Sequence, residues 1–177
     1  MRKADIRTAS RVTLYIIFAV LCVFLQCGVM SHFKIFGATP NLALCAIVCI
    51  AMFEAPKRAC VLAVALGFFL ECIGGGDIMY SPVTFLIAAA LGYLFSSRIT
   101  GRRPLSALFA GGIAIAIDTA LSSAIVLFRS DAGLFKILFA EFLPIFLYSA
   151  AALAVIYPAV YLISRIFGPH EASVTGY

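Results

Sequence analysis

Two long apolar runs constrain this chain more than any other feature. Leu105 to Phe128 and Ile137 to Ile163 each exceed the roughly 20 residues a helix needs to cross a bilayer, and each contains a single charged residue, Asp118 in the first and Glu141 in the second. Inside hydrocarbon the backbone must satisfy its own hydrogen bonds, which leaves helices and closed barrels. Barrel strands alternate apolar and polar residues, and these runs do not alternate. With 64% hydrophobic and 12% charged residues, against about 45–50% apolar in a soluble domain, the rest of the chain follows the same rule. The expected fold is therefore all-α, a membrane-embedded helical bundle.

Six apolar segments are predicted, at Val12 to Met30, Asn41 to Phe53, Ala59 to Ile73, Pro82 to Ser97, Leu105 to Phe128 and Ile137 to Ile163. The first follows a basic start, as a signal peptide would. It is long for a signal's apolar core and has no small-residue cleavage pattern before Ser31, His32 and Lys34, so it reads as a retained helix. The second and third are short for complete spans. A re-entrant hairpin would bury Lys57 and Arg58 deep in the bilayer, at high cost, so two short spans joined by a turn at Glu54 to Arg58 are expected. No linker, repeat or soluble segment interrupts the series, and residues 1–177 read as one transmembrane domain.

Lysine and arginine concentrate in cytoplasmic loops. An N-terminus inside places Arg2, Lys3, Arg7, Arg11, Lys57, Arg58, Arg98, Arg102, Arg103 and Arg165 on the inner side, and only Lys34, Arg129 and Lys136 outside. Both termini are then cytoplasmic. The formal charge of +5 reflects this topology and attraction to anionic lipid rather than nucleic-acid binding.

Ionisable residues within membrane segments are the natural functional candidates. Asp118 lies near the middle of the fifth segment and reads either as a ligand for a proton, cation or solute, or as a helix-packing residue whose carboxyl desolvation can keep neutral. Glu71 closes the third segment and Glu141 begins the sixth, both near the membrane surface, where long side chains reach water. Ala59, Ala63, Gly67 and Glu71 recur every fourth residue, and Gly111, Ala114 and Asp118 form a similar stripe. Such stripes permit close helix packing, within the chain or, through Gly67, against a partner. Pro144 and Pro158 are expected to kink or shorten the sixth helix.

Other chemistry lacks its parts. Gly74-Gly75-Gly76 followed by Asp77 has no GK[ST] element and reads as an outer turn rather than a phosphate loop. Cys45 and Cys49 share a helix face, but no histidine or second cysteine pair accompanies them to complete a metal site; the six cysteines read as buried apolar residues. His32 and His170 fall on opposite sides of the membrane, so no nucleophilic set forms. A non-enzymatic protein without a cofactor is expected.

Several short motifs occur in a fixed order: Phe24-Leu25-Gln26, Thr39-Pro40-Asn41-Leu42, Gly67-Phe68-Phe69-Leu70-Glu71, Gly74-Gly75-Gly76 and Gly92-Tyr93-Leu94. In this order, and in size and span count over nearly the whole chain, the sequence resembles the bacterial rod shape-determining protein MreD family. It departs from that family in having Glu71 at a usual aspartate and Ala63-Val64 at a usual Gly-Phe pair. The resemblance implies an inner-membrane scaffold subunit of the cell-elongation machinery, binding an MreC-like membrane protein and MreB-linked peptidoglycan synthesis proteins. The family is similar in architecture to the six-helix substrate-binding subunits of energy-coupling-factor transporters. The alternative is thus a small-molecule-binding transporter subunit, with Asp118 or Glu141 contacting solute.

Overall fold

The computed structural model describes residues 3–30, 32, 39–74, 79–99, 103–129 and 143–167. Among these the chain forms six α-helices and no strand: α1 Lys3–Phe24, α2 Leu42–Phe53, α3 Pro56–Gly74, α4 Ser81–Leu94, α5 Pro104–Arg129 and α6 Leu143–Phe167. Two of them continue as short π-helical stretches, α1 through Leu25–Met30 and α4 through Phe95–Ile99. Three segments are long and apolar enough to cross a membrane, Ala9–Met30, Pro104–Ile125 and Leu143–Ile166.

Prolines open four of the helices, at the first position of α3 and α5 and the second of α4 and α6. There the missing N–H costs nothing and the fixed φ favours the helix. Pro144 belongs to this group. Pro158 lies inside α6, and the helix runs on to Phe167, so the expected early end does not occur. The first helix begins at Lys3, well before Val12, while the start of the sixth segment at Ile137 falls outside the described residues.

The organising element is α2. Every residue from Ala43 to Phe53 is buried, as befits a helix apolar on all sides. At 12 residues it is about 18 Å long, short of the ~30 Å hydrocarbon thickness. The other five helices surround it, and all six contribute to one apolar core that includes Tyr15, Ile47, Leu66, Phe85, Ile115 and Leu153.

Contacts at the two ends of α2 give the direction of every helix. Arg11 of α1 reaches Glu54, just past the last residue of α2, while Gln26 meets its first turn. Glu71 near the end of α3 meets Ser81 at the start of α4. Ser96 beyond α4 bonds to Met52. Asp118 of α5 and Ser149 of α6 meet Asn41, and Tyr157 and Tyr161 of α6 meet Phe53. Successive helices therefore alternate in direction, between an Asn41 end and a Glu54 end.

Candidate functional site

A helix begins with backbone N–H groups that have no partner within it. In water solvent supplies the acceptors; around α2 the chain supplies them itself. Asn41, the N-cap, accepts from Leu44 N through its side-chain Oδ1 at 3.1 Å, an interaction worth about 1 kcal/mol over alanine. Gln26 Oε1 accepts from Ala43 N at 3.0 Å, reaching in from the π-helical stretch after α1. The Asn41 backbone N–H donates to Ser149 Oγ at 3.1 Å, and its side-chain Nδ2 donates to Asp118 Oδ2 at 2.8 Å. The Thr84 hydroxyl is a second side-chain partner of Asp118, after the Asn41 amide, and stands 3.1 Å from Ser81 O. With one proton to donate, it serves one of these acceptors at a time. Cys45 Sγ lies 3.4 Å from Ser149 O, so this thiol is turned toward α6.

The resulting cluster joins α1, α2, α4, α5 and α6 at one point. A carboxylate near a helix N-terminus also complements the helix dipole, and Asp118 occupies that place beside α2 through Asn41. These groups bond to one another across the helices, an arrangement that secures a helix end.

A second carboxylate repeats the device. Glu71 Oε1 accepts from Ser81 N at 3.1 Å and from Ser81 Oγ at 2.5 Å. The N-cap residue of α4, Tyr80, makes no side-chain cap bond of its own, so a neighbouring helix supplies the acceptor. Gly67, one turn earlier on α3, makes the approach possible: a Cβ there would stand 2.5 Å from Pro82 Cα and 2.7 Å from Pro82 N. Gly92 does the same for α4 against α2, where a Cβ would meet Val48 O at 2.5 Å.

The Glu54 end is ionic. Glu54, 7% exposed, pairs with Arg11 at 3.1 Å and Arg58 at 3.0 Å. Ser96 Oγ donates to Met52 O at 2.8 Å, from the π-helical stretch after α4. Each π-helical stretch thus sends one polar side chain to one end of α2.

The four candidates from the sequence fare differently. Asp118 is 8% exposed and hydrogen-bonded within the bundle. Glu71, placed near the membrane surface by its position, is equally buried at 8%, because α4 covers it. Gly67 faces its own α4, so that face of α3 is occupied within the chain and is not open to a partner. Glu141 lies outside the described residues, as do Gly75, Gly76, Asp77 and His170. Ala59, Ala63, Gly111, Ala114 and Asp118 are all buried in helix contacts. No group of three or more His, Cys, Asp or Glu residues suited to a metal ion occurs among the described residues.

Gln26 stands within the ordered motifs and Asn41 both there and at the start of the second apolar segment, whereas Ser81, Thr84, Ser96 and Ser149 were not among the candidates. Asn41 was legible as an N-cap, being an asparagine directly before an apolar run. The hydroxyls carried no such signal, because a lone serine in an apolar segment is equally suited to bonding its own helix. No family model, curated protein or solved structure matches the chain.

Proposed function

We propose that this chain is a non-enzymatic scaffold subunit of a bacterial cell-elongation complex, holding an MreC-like membrane protein and MreB-linked peptidoglycan synthesis proteins together in the cytoplasmic membrane. One observation carries the reading. The residues of its MreD-like motifs converge on α2 and the start of α4: Gln26 and Asn41 cap the central helix, Gly92 lets α4 approach it, and Gly67 and Glu71 seat α4. A motif set that serves one packing arrangement is what a shared architecture requires.

The same reading takes the six alternating helices as six spans. Their alternation gathers Arg11, Lys57, Arg58, Arg98, Arg103 and Arg165 at the Glu54 end, and the positive-inside bias makes that end cytoplasmic. In transporters, half-helix N-termini within the membrane point at anionic substrate groups. Here the corresponding end of α2 is engaged by Gln26, Ser149 and Asp118, which favours a scaffold over the transporter alternative. The outward surface, with Val61, Leu147, Val155 and Ile166 exposed, is apolar enough to meet lipid or partner helices.

Depletion in the source bacterium, combined with purification from native membranes, tests the proposal. Rounded cells, and co-purification with an MreC-like protein or a wall synthase, are expected. Unchanged rod shape with lost uptake of a vitamin or metal ion, and an ATPase pair among the co-purifying proteins, would overturn it.

A further inference from the structure

We propose that the groove between α1 and α3 at the Glu54 end binds the headgroup and one acyl chain of an anionic phospholipid. The groove, about 480 Å³ in volume, is walled by Val12 and Ile16 of α1 and by Val61, Leu62 and Ala65 of α3, and its end is formed by Glu54 and the carbon stems of Lys57 and Arg58, whose charged heads lie beyond the apolar wall. From Lys57 to Ala65 the wall runs along two turns of helix, roughly 12 Å. Its apolar part is open on the outer side, where Val61 is 70% exposed.

Charge identifies the occupant. Glu54 is shared by two cations, Arg11 and Arg58, so one carboxylate faces two guanidinium groups. The exposed Lys57 has no acidic partner among the described residues. The Arg58 side chain is 52% exposed, which leaves further guanidinium N–H groups available to an acceptor. A phosphodiester whose negative charge no headgroup cation cancels supplies the missing anion, and the apolar trough continuing from it accepts a hydrocarbon chain. A free phosphate would leave the trough uncovered, and an apolar partner helix would leave the cations unbalanced. A comparable groove between α1 and α6, about 440 Å³ and lined by Leu21, Leu25, Ala151 and Val155 among others, has no ionisable side chain in its wall apart from the Cys22 thiol and the Tyr148 phenol. It is an internal control for lipid binding without charge selection.

The proposal rests on the membrane reading but not on the partners, since its assay contains no other protein. The full chain is reconstituted in nanodiscs of equal phosphatidylglycerol and phosphatidylcholine, released into mild detergent, and its retained lipids are counted by native mass spectrometry. Phosphatidylglycerol should be retained in excess. Lys57→Gln, which removes the charge and only slightly shortens an exposed side chain, should reduce that excess about fivefold, the effect of one basic side chain near an anionic surface. Ala65→Phe should fill the trough and reduce retention, while Ala151→Phe in the control groove should leave the excess unchanged. Equal retention of both lipids, an excess indifferent to Lys57→Gln, or an excess lost only in Ala151→Phe would each overturn the assignment. If Ala65→Phe fails to fold, Lys57→Gln alone decides. Loss of shape support with lipid selection intact would sink only the scaffold role.

Discussion

Gly67→Ala adds one methyl group at the tightest helix contact to backbone outside α2. That methyl would stand 2.5 Å from Pro82 Cα, 2.7 Å from Pro82 N and 2.9 Å from Ser81 C. All three are backbone atoms at the start of a helix, so no rotamer change relieves the overlap and α4 must move away from α3. The displacement has two costs. Overpacking of this kind typically costs about 1–3 kcal/mol, and loosening the hydrogen bonds from Ser81 to the buried Glu71 adds roughly 1–2 kcal/mol. A total of about 2–5 kcal/mol is a large share of a typical stability of ~5–15 kcal/mol, and corresponds to a fall in Tm on the order of 5–20 °C. Thermal unfolding of the purified variant in detergent, with its abundance in the membrane, measures this directly. Gly28→Ala is the control, because a Cβ there meets nothing within 4 Å; its Tm should match the wild type or rise slightly, since alanine is the better helix former. A Gly67→Ala protein as stable and abundant as the wild type would refute the packing argument. If it also failed to retain its partners, Gly67 would return as a docking residue.

Asp118→Asn keeps an acceptor for the Asn41 amide, so it should remain folded and support cell shape, whereas Asp118→Leu leaves that amide without its acceptor and should lose about 1–3 kcal/mol. Equal Tm values for the two variants would remove Asp118 from the α2 cap, and loss of shape support by a stable Asp118→Asn protein would assign it more than a structural role. Reporter fusions after residues 57, 102 and 177 should report cytoplasm, and those near 35, 77 and 132 the outside; an external signal at 57 or 102 contradicts the orientation.

The helical class and the approximate positions of the apolar segments followed from sequence alone, because hydrocarbon removes the solvent that would otherwise satisfy the backbone and so makes runs of apolar residues unambiguous. A turn at Glu54 to Arg58 was expected from the cost of burying Lys57 and Arg58; the fold confines it to Glu54 and Ala55 and puts Lys57 and Arg58 in the first turn of α3, while the role of asparagine before an apolar run was readable at Asn41. Which segment lies at the centre did not follow. Leu42–Phe53 differs from its neighbours mainly in being shorter and more uniformly apolar, and only the packing of five helices around it shows that it has no outward-facing side. The fate of the acids also required tertiary structure. Glu71 and Asp118 had been weighed by their depth along a single helix, yet what each one does is set by residues on other helices: Ser81 for Glu71, Asn41 and Thr84 for Asp118. A hydrogen bond between groups 77 residues apart in sequence, such as Asn41 to Asp118, depends on where two helices cross. Their own periodicity says which faces are apolar and leaves the crossing point open, so the self-contained polar end of α2 was decided by the fold.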